Sequence, residues 1–347
     1  MIPFLQKKST ACGLDLGSSW LKTVCFCKDK QGLTLERIGR LALPSQSKGD
    51  VRAMGQAAKR LHTALAIKDK VVTSSLRGHE VIVKHMQLPV VKDMRGAVER
   101  EAKEQIPFDL GDLYLDFQIV NSGDKKARKA DVMVVATKKK VVADLEQTLQ
   151  QAGLSLAVVD VDAFALSNCF GFNYPEHTDP VYLLDIGASQ SILGVYDQGR
   201  PFFFREIGFG GHQITQIISR QLDVSLSEAE ALKIKGSEGL QKEKCIELQS
   251  IISESCTNWC REIKRVDHFY QTSTNVTSLP SHLYLSGGGS LLPGVPAFLA
   301  RELKLEVTYL DPWRKANVDS NNFDPLFVKA IGPQFVIASG LALRSCV

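Results

Sequence analysis

The stretch Cys12-Gly13-Leu14-Asp15-Leu16-Gly17-Ser18-Ser19-Trp20-Leu21-Lys22 (CGLDLGSSWLK) sets one carboxylate between apolar residues and then turns the chain through small ones. Leu183-Leu184-Asp185-Ile186-Gly187-Ala188-Ser189 (LLDIGAS) does the same. Around the first, the chain reads as a meander: an apolar run to Leu16, a turn, a run through Phe26, a turn at Asp29-Lys30-Gln31-Gly32, then LTLERI. From Val181 the order recurs as VYLLDIG, a turn, SILGVY, the turn Asp197-Gln198-Gly199, and PFFFREI. Asp15 and Asp185, Gly17 and Gly187, Ser19 and Ser189 fall at one constant offset. A single matched turn is easily chance. Three strands with both turns in step are two copies of one β-meander, each opening one half of a bilobed protein.

Composition agrees with that division. At 347 residues the chain is longer than one core usually fills. Its 44% hydrophobic and 23% charged content is that of an ordinary globular protein. A net charge of +4 is small for this size and gives no case for nucleic acid. The basic clusters Lys125-Lys126-Ala127-Arg128-Lys129 and Lys138-Lys139-Lys140 flank the apolar run 132–136, as a hairpin turn and a strand end would. The longest apolar runs read as strand-length, short of the ~20 residues of a membrane helix. The start, MIPFLQKKST, lacks a signal-peptide core and is expected to fray. Eight cysteines show no CxxC pair and no zinc spacing, so reduced, buried thiols are expected. Trp20 and Phe202-Phe203-Phe204, by their place in strands, are expected in the core.

Between the meanders, GDVRAMGQAAKRLHTALAI (49–67) has helical spacing, and KVVTSS and EVIVKHMQL read as strands. A helix over 92–105 is stopped by Pro107, strands follow at 113–120 and 132–136, and a helix over 139–151 ends at Gly153. The expected division is a first lobe at 1–79, an inserted α+β module at 80–156, the first lobe again at 157–180, and a second lobe at 181–347 whose last helix returns towards the first. In that second half Gly210-Gly211 opens HQITQIISRQL, helices run over 227–234 and 242–270, and the strand HLYLSGGGS leads to the helix PGVPAFLARELKL.

A hairpin turning through Gly-Ser-Ser presents backbone N–H groups and hydroxyls on one side, a cradle for phosphate oxygens. Glycine lets the backbone approach a ligand closely. An aspartate two residues earlier would repel phosphate, but it can hold the hydration shell of Mg2+, which keeps several waters and takes one or two carboxylates. Either aspartate alone reads as a strand end; the matched pair, facing across a cleft, suits a nucleoside triphosphate with Mg2+. In Ser286-Gly287-Gly288-Gly289-Ser290 three glycines would let a flat ring or a ribose phosphate lie against backbone. Neither G-x-x-x-x-G-K-[ST] nor G-x-G-x-x-G occurs, which sets aside P-loop and Rossmann readings.

GLDLGSSWLK, LLDIGASQS and LYLSGGGSLLPGV together resemble the two phosphate motifs and the adenosine motif of the actin/Hsp70/sugar-kinase ATPase superfamily. Within it the chain is most similar to the PilM family, actin-like type IV pilus assembly proteins related to the division protein FtsA. The similarity runs through VEREAKEQIPFDL (98–110), VDVDAFALSN (159–168), REIGFGGHQIT (205–215), EAEALK (228–233) and IASGLALR (337–344). The resemblance implies an α/β, actin-like (ribonuclease-H-like) two-lobed ATPase fold with an inserted FtsA-type α+β subdomain. It implies a cytoplasmic protein, peripheral on the inner membrane through its partners, that binds ATP and Mg2+. The implied partner is the N-terminal cytoplasmic tail of a PilN-like membrane protein, held between first lobe and module, with pilus motor ATPases as further partners.

Carried over residue by residue, the resemblance puts Gly17, Ser18 and Ser19, and Gly187, Ala188 and Ser189, on phosphates, and Asp15 and Asp185 on Mg2+ through water. Lys22 falls where a GSS-x-x-K lysine reaches phosphate, although strand alternation would equally leave it exposed. Gly287, Gly288, Gly289 and Ser290 are the adenosine loop. Glu230 and Lys233 match a helix pair touching adenosine, with a surface i,i+3 ion pair as the alternative. Gly210 and Gly211 open a helix whose N-terminus faces the nucleotide, with tight packing as the alternative. Asp162, or else Asn168, stands near where such ATPases position water, with a helix N-cap as the alternative for Asp162. So short an acid implies slow or no hydrolysis and a structural or switching nucleotide. The rival readings are a small-molecule kinase of the superfamily, for which no base or sugar constellation is evident, an FtsA-like filament former, and a secretion-system relative. LALRSCV at 341–347 is expected to close the fold rather than to tether it to a membrane.

Overall fold

The computed structural model describes residues 9–44, 50–121, 129–197, 202–236, 242–273 and 278–346. The chain start, basic residues 125–128, turn residues 198–199 and the terminal Val347 lie outside the described residues. Strands β1 (Ser9–Leu16), β2 (Trp20–Asp29) and β3 (Gly32–Ala42) form the first meander, with Asp15 opposite Lys22. Helix α1 (Val51–Ala64) starts at Asp50, whose carboxylate accepts the N–H groups of Arg52 and Ala53. Strand β4 (Val71–Leu76) then returns parallel to β1.

The chain next leaves the lobe as β5 (Val81–Pro89), α2 (Met94–Gln105), β6 (Leu113–Asn121) and β7 (Lys129–Lys138). These make a separate sheet, β5-β7-β6, over a small core of Met86, Leu88, Val98, Ala102, Val132 and Val134. Helix α3 (Lys139–Ala152) ends at Gly153 in the left-handed conformation, φ 72°, and β8 (Ser155–Val161) pairs with β4. The apolar face of α3 (Val142, Leu145, Leu149) joins the core of Leu14, Leu21, Ala58 and Leu61. The inserted sheet ends with β7 at Lys138, α3 packs on the core of the first sheet, and β8, most of which was expected in the first lobe, pairs with β4 there. An apolar stripe announces that a helix packs; it does not say against which sheet.

Helix α4 (Asp162–Asn173) leads to the second meander, β9 (Val181–Ile186), β10 (Ser191–Tyr196) and β11 (Phe203–Ile207). Then follow α5 (Gly211–Gln221), α6 (Leu226–Lys235), α7 (Lys242–Ser273), β12 (His282–Ser286), α8 (Val295–Leu303), β13 (Glu306–Tyr309), α9 (Pro325–Ile331) and α10 (Val336–Arg344). The first sheet runs β3-β2-β1-β4-β8 and the second β11-β10-β9-β12-β13. The two orders are the same, so the repeat in the sequence is a repeat of whole sheets, each with an aspartate near the end of its central strand.

Some expectations needed correction. Pro325–Arg344 is 20 residues long with a mean hydropathy of 1.6, long and apolar enough to cross a membrane, whereas apolar runs were expected to stop at strand length. It is 67% buried inside the protein, and α10 packs on β1 and α4. Backbones approach so closely there that a Cβ on Gly13 would stand 2.1 Å from the Ala338 carbonyl oxygen. Cys12 and Cys25, directly opposite in the β1–β2 register with Cα atoms 4.2 Å apart, form a disulfide, so the expectation of reduced thiols fails for this pair. Trp20, expected in the core, is 36% exposed, with the Arg40 guanidinium over its ring. Phe202 is buried, and Phe203 and Phe204 are half-buried.

Candidate functional site

The tips of the β1–β2 and β9–β10 hairpins meet: the Ser189 hydroxyl donates to the Ser18 hydroxyl at 2.9 Å. Both turns need glycine for the same reason. A Cβ on Gly17 would lie 2.6 Å from the Trp20 carbonyl oxygen, and one on Gly187 2.6 Å from that of Gln190. The Gly187 N–H closes its turn on the same Gln190 oxygen at 3.1 Å.

Behind the turns the halves differ. Lys22 extends its amine to Asp15, Nζ to Oδ2 2.6 Å, and is half-buried rather than exposed. Asp185 faces Ile192 in the register and accepts instead from the Ser286 hydroxyl at 2.9 Å. Asp162 is the first residue of α4 and not its cap; its carboxylate accepts from the Ser75 hydroxyl at 2.5 Å. Three carboxylates thus gather around one lysine. Burial alone would lower the Lys22 pKa, but Asp15, with Asp185 and Asp162 behind it, outweighs burial and raises it. Burial pushes Asp185 up to about 6, held back by Lys22 and Ser286. Burial and then Asp15 push Asp162 up to about 8 against the Ser75 bond and the Arg77 charge. Among the described residues no group of three or more His, Cys, Asp or Glu side chains is arranged to hold a bare metal ion, so a divalent cation at these carboxylates would be held through its waters.

The remaining sequence-predicted residues sort by what they touch. The Gly211 N–H donates to the Gly187 carbonyl at 3.0 Å and the His212 N–H to that of Ala188 at 2.8 Å, so α5 starts packed tightly on the second turn. Lys233 is buried, and its amine donates to the Gly211 carbonyl at 3.0 Å, the Thr215 hydroxyl at 2.9 Å and the Glu230 carboxylate at 2.7 Å. The pair is therefore no surface ion pair: Lys233 fastens α6 to the start of α5, while the Glu230 side chain stays 44% exposed. Gly287 has φ 81° and would put a Cβ 2.3 Å from the Ile186 carbonyl oxygen; Gly288 is exposed, with nothing within 4 Å of its Cβ position. Ser290 is turned inward, its hydroxyl donating to the Gly287 carbonyl at 2.7 Å.

Sequence reasoning missed Ser75, Arg77 and Glu206. Arg77 donates to the Leu16 carbonyl at 3.1 Å, next to the first turn. Glu206, in β11, accepts both the Gly78 N–H at 2.6 Å and the Gln190 amide at 2.9 Å. Their partners lie far off in sequence or on backbone, where spacing carries no signal. A cavity of about 360 Å³ elsewhere in the second lobe is lined by Ile207, Phe209, Ile214 and Trp259, with Gln213 and Glu262 among its polar residues. None of the sequence-predicted residues lines it.

With this geometry in place, the family model described as "Type IV pilus assembly protein PilM" matches residues 13–346. A solved "PilM-PilN type IV pilus biogenesis complex" contains a chain 27% identical to this one, superposing with a TM-score of 0.85 over 97% of this chain and 98% of that one. The cell division protein FtsA of Bacillus subtilis (strain 168) is 22% identical over 377 residues, 96% of this chain and 82% of FtsA. MreB5 of Spiroplasma citri bound to AMPPNP is 11% identical with a TM-score of 0.51, covering 97% of this chain and 96% of that one. The fold is that of the actin-like ATPases.

Proposed function

Since this chain belongs to the PilM family of type IV pilus assembly proteins, we propose that it serves as the ATP-binding component of the pilus complex at the inner membrane. In this reading it is a cytoplasmic protein that takes the N-terminal tail of a PilN-like membrane protein, and its attachment to the membrane runs through that partner. The observation that carries the nucleotide half is the meeting of the two Gly-Ser turns over three carboxylates and one lysine. The solved complex with PilN supports the partner half. The AMPPNP bound to the actin-like MreB5 supports the choice of nucleotide.

Under this reading Gly17, Ser18 and Ser19 and Gly187, Ala188 and Ser189 offer N–H groups and hydroxyls to phosphate oxygens. Asp15 and Asp185 would hold Mg2+ through its waters, and the ion would neutralise charge on the triphosphate. Gly288 leaves room for the nucleoside, with Glu230 as a carboxylate for its hydroxyls. Gly210, Gly211 and Lys233 position the second turn, and Ser290 closes the loop around Gly288. Asp162, the candidate for positioning water, is a short acid at the start of α4 already engaged by the Ser75 hydroxyl. Slow or no hydrolysis follows, with the nucleotide acting as a switching or structural ligand.

The test is calorimetric titration of Mg-ATP into the wild type and Asp15→Asn/Asp185→Asn, each with and without a PilN-like tail peptide. The double variant should bind Mg-ATP about 10–100-fold more weakly. A wild type that takes up no nucleotide would sink the nucleotide half; one that takes up no peptide would sink the partner half.

A further inference from the structure

Edge strand β11 of the second lobe lies against the root of the inserted module. Phe204 packs edge-on with Phe164 of α4, and the half-buried Val81 and Val135 of β5 and β7 lie against the same hydrophobic core as Phe204. Arg205 is near enough to His85 of β5 to help lower its pKa, after burial and against Asp131. Between these contacts stands Glu206, half-buried. One carboxylate oxygen accepts the Gly78 N–H at 2.6 Å, where β4 gives way to the module, and the Gln190 side-chain amide at 2.9 Å. The other oxygen is 3.8 Å from His79 Nδ1. Gln190 is the residue whose carbonyl closes the second turn on Gly187. Glycine at 78 belongs to the joint, since a Cβ there would stand 2.7 Å from Glu206 Oε1.

We infer that Glu206 is a positioning residue that transmits movement of the Gly187-Ala188-Ser189 turn to the root of the inserted module, so that occupancy of that turn by a nucleoside triphosphate alters the module. This rests on the nucleotide reading above and assigns it a route. The argument is one of shared atoms. A ligand that shifts the turn shifts Gln190, and the carboxylate oxygen bonded to Gln190 also holds the N–H of Gly78, in the joint between β4 and the module. Charge-assisted bonds to a half-buried carboxylate are short and directional, so the second bond follows the first rather than absorbing its displacement. Two sites that bias one joint are coupled reciprocally.

Hydrogen exchange of residues 82–86 in β5, followed in the full chain with and without Mg-ATP, tests this beside calorimetry of the same samples. Wild type should bind Mg-ATP and change exchange over 82–86 by about tenfold. Glu206→Ala should bind Mg-ATP within about threefold of wild type, still change exchange at 187–190, and lose the change at 82–86. Glu206→Gln, which keeps an acceptor for Gly78, should restore it; a purely structural role would not separate these readouts. Bound nucleotide with no change at 82–86 in wild type, or an undiminished change in Glu206→Ala, overturns the inference alone. Calorimetry showing no nucleotide bound to wild type overturns the nucleotide reading and this inference with it.

Discussion

Lys22 bonds across its own hairpin to Asp15, Nζ to Oδ2 2.6 Å, while the matching place opposite Asp185 is held by Ile192. The two halves repeat each other in sheet order and in their aspartates, but charge compensation enters from one side only of this pair of registers. The single amine faces Asp15 directly and lowers the pKa of Asp185. Its removal should therefore be felt at both.

Lys22→Met should lower stability in the absence of nucleotide by about 3 kcal/mol, the low end for leaving a buried carboxylate without its partner, because the cleft admits some water. Asp15→Asn/Lys22→Met should recover part of that loss. Urea unfolding of the two single variants and the double one checks this as a cycle; strict additivity would show that the two groups do not interact.

The pH dependence follows from Asp162 and Asp185, whose folded pKa values, about 8 and about 6, lie above the ordinary 3.8. A raised carboxyl pKa means that the folded state holds its proton more tightly than the unfolded chain. The stability this contributes is fully present below about pH 4 and is lost as pH rises through 6 and then 8. Asp162→Asn, neutral at every pH, should gain on wild type progressively from about pH 4 to about pH 8 and no further above that. Unfolding midpoints at pH 5, 6.5 and 8 measure it, and a gap of constant size would refute the assignment.

The repeat was legible because both meanders carry their signal locally: apolar runs, a small-residue turn and an aspartate at a matched place. The module's α2 was legible for the same reason, although it begins at Met94, two residues after its expected start. Strand β13 was not, since four residues, most of them exposed, leave no alternation to read. The allegiance of α3 was hidden because its stripe fits either sheet. Cys12 and Cys25 were hidden because pairing depends on the hairpin register, which spacing alone leaves open. Within the site, the aspartates and turn residues stood out in the sequence. Glu206 did not, because what it holds is the backbone amide of Gly78, and any residue but proline would present one.

Lys233 offers a check on the second lobe that does not depend on any ligand. Its buried amine holds Gly211, Thr215 and Glu230 together. Lys233→Met keeps the packed stem and removes three bonds, one of them charge-assisted to the Glu230 carboxylate, so a loss of about 2 kcal/mol is expected. Lys233→Arg should not rescue it, because a planar fork does not match three acceptors placed around a compact ammonium. Equal stability of Lys233→Arg and wild type in thermal unfolding would contradict that geometry.

Gly287 and Gly288 are adjacent and should answer oppositely to one methyl group. At Gly287, with φ 81° and the Ile186 carbonyl oxygen 2.3 Å from the added carbon, alanine strains the backbone and meets an atom that belongs to β9. Gly287→Ala should cost at least about 2 kcal/mol and disturb the loop that Ser290 closes. At Gly288 the added carbon meets nothing within 4 Å, and stability should change by less than about 0.5 kcal/mol. That methyl would project into the space given above to the nucleoside, so Gly288→Ala should weaken ATP binding while leaving the unfolding curve in place. A variant with full ATP affinity would mean that the nucleoside does not lie against Gly288. An unfolding curve shifted as far as that of Gly287→Ala would mean that the space beside Gly288 is filled by the protein itself.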